Sequence, residues 1–173
     1  MGKIILYVAS SLDGYIAREN GDVDWLPENT SSGYDEFYKT IDTVIMGKKT
    51  YDQVLTFGDY PYRGKTSFVF SRNDTLTKDE NVEFVSNVEK FTRKLILSSE
   101  KNIWLVGGSE LISTFLNHNF VHEIIVSIVP MILGKGIPLF KNINEETKLE
   151  LIKTTEYEEL VELQYKVLNF NNI

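Results

Sequence analysis

The chain contains no cysteine in 173 residues, which excludes disulfides, thiolate-bound zinc, iron–sulfur clusters and a thiol nucleophile. Histidine is nearly as scarce. The two present, His118 and His122, stand four apart, a spacing that suits a metal-binding helix face. The intervening Asn119-Phe120-Val121 reads instead as a helix end passing into a strand, so both are expected at a surface or boundary, with no metal. Positive charge is the minority sign: 18 Lys and Arg face 25 Asp and Glu, a formal net charge of −7. That balance argues against nucleic-acid and anionic-membrane partners, while a local basic cluster would still suit an anionic small molecule. No apolar run approaches the roughly 20 residues of a membrane span, and the first residues carry no signal-peptide pattern. A cytoplasmic protein is therefore expected. Internal repeats and low-complexity segments are absent too. What remains is enough chain for a single domain over residues 1–173, able to bury roughly 70% of its unfolded surface without a staple.

Hydrophobic patterning then orders the chain. Residues 3–9 are apolar and β-prone and read as an interior strand. A long loop follows, turned by Asp13-Gly14 and Asn20-Gly21-Asp22. Tyr15, Ile16, Trp25 and Leu26 are too hydrophobic to stand in solvent, so the loop is expected to be ordered and to cover a site. Residues 28–33 are polar and expected to be mobile. Tyr34, Phe37, Tyr38 and Ile41 repeat at helical spacing. Strands are expected at 43–46, 66–70, 82–85, 103–106 and 123–129. Helices should follow Gly47, follow a cap at Ser86 or Asn87, and follow Gly108. An apolar, glycine-hinged loop spans 131–140, and two alternating stretches, 149–156 and 160–168, form a hairpin about Tyr157-Glu158-Glu159. The fold class is α/β: about eight strands, mostly parallel, with an antiparallel C-terminal hairpin and about four flanking helices.

Three strand ends carry the chemistry. Ile103, Trp104, Leu105 and Val106 are too few for a helix and too continuous for a half-solvated strand, which marks a central strand covered on both faces. It runs through Gly107-Gly108 into a helix with Ser109 as the expected N-cap. Alone, that turn reads either as a tight connection needing positive φ or as a phosphate cradle at a helix N-terminus. Met46-Gly47-Lys48-Lys49-Thr50 makes a second strand-to-helix turn, and Ser71-Arg72 ends a third strand. Ligands of open α/β sheets gather beyond the carboxyl ends of the strands, so the three should face one crevice. None matches a Walker loop or the G-x-G-x-x-G fingerprint. Acidic and aromatic residues, Asp13, Asp24, Trp25, Asp35 and Glu36, flank the first loop and helix. A carboxylate enclosed among Trp25, Tyr34 and Phe37 would serve as proton donor or orient a polar heterocycle. Alternatively, Asp35 and Glu36 complement a helix dipole and Asp13 closes its own turn.

Val44-Ile45-Met46-Gly47-Lys48-Lys49-Thr50-Tyr51 resembles the second-strand motif of dihydrofolate reductases, and Val106-Gly107-Gly108-Ser109-Glu110-Leu111 resembles their diglycine turn. Ser11-Leu12-Asp13-Gly14-Tyr15-Ile16-Ala17 and Val129-Pro130-Met131-Ile132-Leu133-Gly134-Lys135-Gly136-Ile137-Pro138-Leu139-Phe140 are closer to the C-terminal reductase domain of the bifunctional riboflavin-synthesis deaminase/reductase and its free-standing bacterial relatives. The resemblance implies a dihydrofolate-reductase-like sheet of eight strands that binds NADPH and transfers hydride to a pyrimidine- or pterin-like ring. It places Gly47, Lys48 and Thr50 on the cofactor phosphates and Ser71 and Arg72 by the adenine ribose and its 2′-phosphate. Gly107, Gly108, Ser109, Glu110 and Leu111 line the pyrophosphate, the two glycines commonly joined by a cis peptide, and Val106 before them belongs to the cofactor-binding set. Ala9 and Ile16 lie near the nicotinamide, Asp13 and Trp25 on the substrate side, and Asp35 or Glu36 stands nearest the acid of the first helix. Lys48 with Arg72 favours NADPH over NADH. Two departures stand out: Val106 replaces the glutamate usual before the diglycine in riboflavin reductases, and the zinc deaminase half is missing. Dihydrofolate reduction and a nucleotide-binding module without catalysis are the alternatives. The apolar 130–140 loop suits a homodimer contact.

Overall fold

The computed structural model describes residues 1–28 and 33–168. The expected mobile stretch falls mostly on residues 29–32, outside the described residues. In chain order the elements are β1 (Ile4–Ser11), β2 (Tyr15–Ala17), α1 (Tyr34–Thr40), β3 (Ile41–Gly47), α2 (Lys48–Thr56), β4 (Thr66–Phe70), β5 (Glu83–Val85), α3 (Val88–Ser98), β6 (Asn102–Gly107), α4 (Ser109–Asn117), β7 (Glu123–Val129), β8 (Ile137–Pro138), β9 (Leu149–Glu156) and β10 (Val161–Val167). Eight of the strands form one sheet in the order β5-β4-β3-β6-β1-β7-β10-β9. It is parallel from β5 to β7 and antiparallel at β10 and β9. No described helix is long and apolar enough to cross a membrane.

The sheet separates two cores, and β6 feeds both. Ile103 and Leu105 pack on one face with Leu6, Ile45, Ile112 and Phe115. Trp104 packs on the other with Ile5, Phe37, Val44 and Met46. Helices cover both faces, so alternation in polarity vanishes and the strand reads as a continuous apolar run. In α3, Asn87 is the cap: its side chain accepts from the Lys90 amide at 2.9 Å. Ser109 is not a cap. Gly108 holds that position, and Ser109 opens α4 with its hydroxyl donated to the Pro138 carbonyl at 2.6 Å.

Two further features depart from the sequence reading. The 131–140 loop does not stand alone, because its β8 pairs antiparallel with β2 from the first loop. The Leu12 amide also donates to the Met131 carbonyl at 2.8 Å, and the Leu139 amide to the Gly14 carbonyl at 2.8 Å. The alternation of β9 does not mark a half-buried strand either. Leu149, Leu151 and Ile152 are all exposed, because β9 is the outer edge of the sheet and pairs on one side only.

Candidate functional site

Parallel pairing of β3 with β6 sets Met46 opposite Gly107, so the turns after these strands lie side by side. A Cβ on Gly47 would come within 3.8 Å of the Gly107 oxygen and the Gly108 nitrogen. One on Gly108 would come within 3.2 Å of the Thr50 hydroxyl. Gly107 has φ +132°, and the peptide joining it to Gly108 is cis. Gly47 and Gly108 are the N-caps of α2 and α4, and neither helix start has a side-chain cap. Two helix N-termini, walled by glycine, thus open onto one place, where main-chain N–H groups and positive dipole ends suit an anion.

The end of β4 joins them through charge. Arg72 reaches Glu110 of α4 at 3.5 Å, and Lys141 reaches the same carboxylate at 3.6 Å. Lys48 pairs with Asp52 at 2.5 Å. These pairs are open to water and hold their partners weakly. The Ser71 hydroxyl accepts from the Asn73 amide at 3.1 Å and shapes the turn behind Arg72. The Leu111 side chain is buried in the core behind α4 and seats the helix.

The opposite face is aromatic. Tyr7 stacks on Phe37 at 4.6 Å, and Trp104 stands edge-on to both. The Trp104 indole donates to the Tyr7 carbonyl at 3.0 Å, and Val106 packs against this cluster. Burial, with Tyr38 and Asp35 nearby, pushes the Tyr34 hydroxyl up to about 12, so it stays neutral in ordinary conditions. Ala9 and Ile16 are half-buried, Ile16 against the first core. Trp25 is buried as expected, and its indole nitrogen has no hydrogen-bond partner among the described residues.

The acidic candidates lie elsewhere than an enclosed acid would. Asp35 and Glu36 are exposed in the first turn of α1, and Glu36 pairs with Lys39 at 2.7 Å. Asp13 clamps two loops: it accepts from the Ser11 hydroxyl at 2.7 Å and from the Leu133 and Gly134 amides at 3.1 and 2.8 Å. The Ser11 bond, with the two amides, holds its carboxyl below the ordinary 3.8. The clamp is therefore present above that ordinary value and lost as pH falls through the lower, folded one. The Gly134 amide resonance should titrate with a midpoint below 3.8 and stay put in Asp13→Asn; a midpoint at or above the ordinary value would contradict the clamp.

A carboxylate passed over in the sequence stands on the aromatic face. Glu162 of β10 is half-buried, and its Oε2 accepts from the Tyr7 hydroxyl at 2.9 Å and the Ser127 hydroxyl at 3.3 Å. Nothing local marks it. It is one polar residue in an alternating edge hairpin, and only the pairing of β10 with β7 brings it inward.

Residues 2–163 match the family model of the RibD C-terminal domain. YwjB, an uncharacterized protein of Bacillus subtilis (strain 168), is 41% identical over 168 residues, covering 94% of this chain and 97% of that protein. A crystal structure from Shewanella sp. PV-4, provisionally described as a riboflavin biosynthesis protein, superposes with a TM-score of 0.84 at 28% identity, over 96% of this chain and 99% of that one. Dihydrofolate reductase from Enterococcus faecalis, solved with NADP(H), gives 0.72 at 19% identity over 96% of each chain. The fold is dihydrofolate-reductase-like.

Proposed function

The chain belongs to the RibD C-terminal domain family, and we propose that it is an NADPH-dependent reductase acting on a pyrimidine- or pterin-like ring, as 5-amino-6-(5-phosphoribosylamino)uracil reductases do. The family supports a reductase-like function. The observation that carries the finer reading is the glycine-walled junction of the α2 and α4 N-termini, with Lys48 and Arg72 at its rim. Two helix N-termini without side-chain caps, set side by side by turns of glycine, fit a pyrophosphate.

In this reading Gly47, Gly107, Gly108 and Ser109 present backbone to the pyrophosphate, and Thr50 offers its hydroxyl beside them. Arg72, turning from Glu110, and Lys48, turning from Asp52, meet the remaining phosphates. Bound NADPH would supply the hydride. Ala9 and Ile16 would floor the nicotinamide, and the aromatic face would exclude water from the reacting ring. Asp35 or Glu36, in the first turn of α1, would be the nearest equivalent of the acid that dihydrofolate reductases carry early in their first helix. Both are exposed, so neither is enclosed with the substrate. The same proposal has the protein act as a cytoplasmic homodimer through the 130–140 loop, where Met131, Ile132 and Phe140 are exposed.

The test is a parallel NADPH and NADH titration by tryptophan fluorescence. Wild type should prefer NADPH, and the Lys48→Ala, Arg72→Ala double variant should lose roughly tenfold or more of that preference, about the value of one or two charge-assisted bonds. An unchanged preference would put the 2′-phosphate elsewhere, and no NADPH binding at millimolar concentration would sink the reading. A nucleotide-binding module without turnover is the second reading, favoured by apolar Val106 before the diglycine. NADPH binding with no oxidation on any pteridine, pyrimidine or small carbonyl would select it.

A further inference from the structure

We propose that Glu162 grips the polar edge of the heterocyclic substrate, with Tyr7 and Ser127 holding its carboxylate in place. The inference rests on the reductase reading above and deepens it by naming a substrate-binding group that the sequence motifs do not contain. Sheet register carries the first part of the argument. Glu162 of β10 lies opposite Ser127 of β7, and Ser127 lies opposite Ala9 of β1. At roughly 4.8 Å per strand, the Glu162 backbone stands about 10 Å from Ala9, beside which the nicotinamide is proposed to lie. Tyr7 and Ala9, two apart on β1, point to the same face. The Tyr7 and Ser127 hydroxyls reach Glu162 on that face. A flat ring set over Ala9 would have its far edge directed at Glu162.

The geometry of the carboxylate carries the second part. Its two oxygens are in different states. Oε2 takes both hydroxyls, from two different strands, which fixes the plane and direction of the group. Oε1 takes no hydrogen bond from any described residue and lies 2.7 Å from where a Cβ on Gly33 would stand. The Tyr157 hydroxyl lies 3.2 Å from the same point, so glycine at 33 lets the chain pass the oxygen without a side chain crowding it. Tyr34, the next residue, is tilted against Tyr7 with centroids 6.1 Å apart and adds an aromatic surface nearby. An oriented acceptor beside aromatic walls suits the N–H groups of an aminopyrimidine, a neutral or weakly basic ring with donors on one edge.

A purely structural role would use the same two hydroxyl bonds to tie β10 to β1 and β7. Glutamine does that equally well, since its amide oxygen accepts both. Glu162→Gln therefore separates the roles: it keeps the tie and removes the charged acceptor. The experiment uses the full chain saturated with NADPH, titrated by calorimetry with isocytosine and with 4-pyrimidinone, which lacks the amino group. Isocytosine should bind more tightly than 4-pyrimidinone to wild type. Glu162→Gln should weaken isocytosine roughly 10- to 100-fold, leave 4-pyrimidinone little changed, and leave NADPH affinity and thermal midpoint as they were. Glu162→Asp should recover part of the isocytosine affinity. Equal isocytosine affinity in wild type and Glu162→Gln overturns the inference, and so does an NADPH-loaded wild type that binds neither pyrimidine. Failure of NADPH itself to bind overturns the reductase reading and this inference with it.

Discussion

Phe115→Ala is expected to lower the unfolding free energy by about 3–5 kcal/mol. Phe115 is fully buried at the centre of α4's inner face. Its ring meets Phe70 of β4 at 5.7 Å and Phe120 at 5.8 Å, both steeply tilted. Truncation removes the transfer gain of an aromatic side chain and leaves a space that rigid neighbours fill only in part. Whole domains are stable by about 5–15 kcal/mol, so this one ring is worth a large share. Urea unfolding of the two proteins measures it. A loss under about 1 kcal/mol would mean that the surrounding side chains collapse into the space, contrary to the packing described.

Gly107→Ala should act on both stability and cofactor. The positive φ of +132° at Gly107 is one that side-chain-bearing residues rarely adopt, and holding it costs about 1–3 kcal/mol. Room is not the obstacle, since the added Cβ would meet only Ile112 Cδ1, at 3.6 Å. The backbone is. Relaxation of that strain shifts the end of β6, and with it the spacing between Gly47, Thr50 and Gly108. NADPH affinity should fall by about tenfold or more, roughly the same 1–3 kcal/mol expressed in binding. A variant that melts earlier yet binds NADPH as wild type would show that the turn does not hold the cofactor.

How far the sequence disclosed these features depended on whether their causes were local. β6 was legible because burial on both faces leaves a direct trace, four apolar residues without alternation. The N-terminus of α3 was legible because Asn87 caps an amide three residues away. Ser109 misled for the converse reason: its hydroxyl serves Pro138, 29 positions distant, and no local pattern encodes that. Asp13 likewise reads as a turn residue, yet two of its partners lie 120 and 121 positions on. Strands of three and two residues, such as β2 and β8, are too short to have a period. The three strand ends of the site were legible as a group through chain topology alone, since carboxyl ends of parallel neighbours must converge. Glu162 was not, because hairpin alternation places polar residues on one face without saying what that face meets.

The pairing of β2 with β8 has a consequence for any attempt to retune this protein by exchanging loops. A Cβ on Gly136 would collide with the Ala17 carbonyl oxygen, the Leu139 amide depends on Gly14, and Asp13 depends on amides from the other side. Pro138 in turn holds Ser109 at the first residue of α4. The two loops and that helix start are thus one inherited part. A graft from a relative should carry residues 11–17 and 130–140 together, since either alone would arrive without the surface it was shaped against.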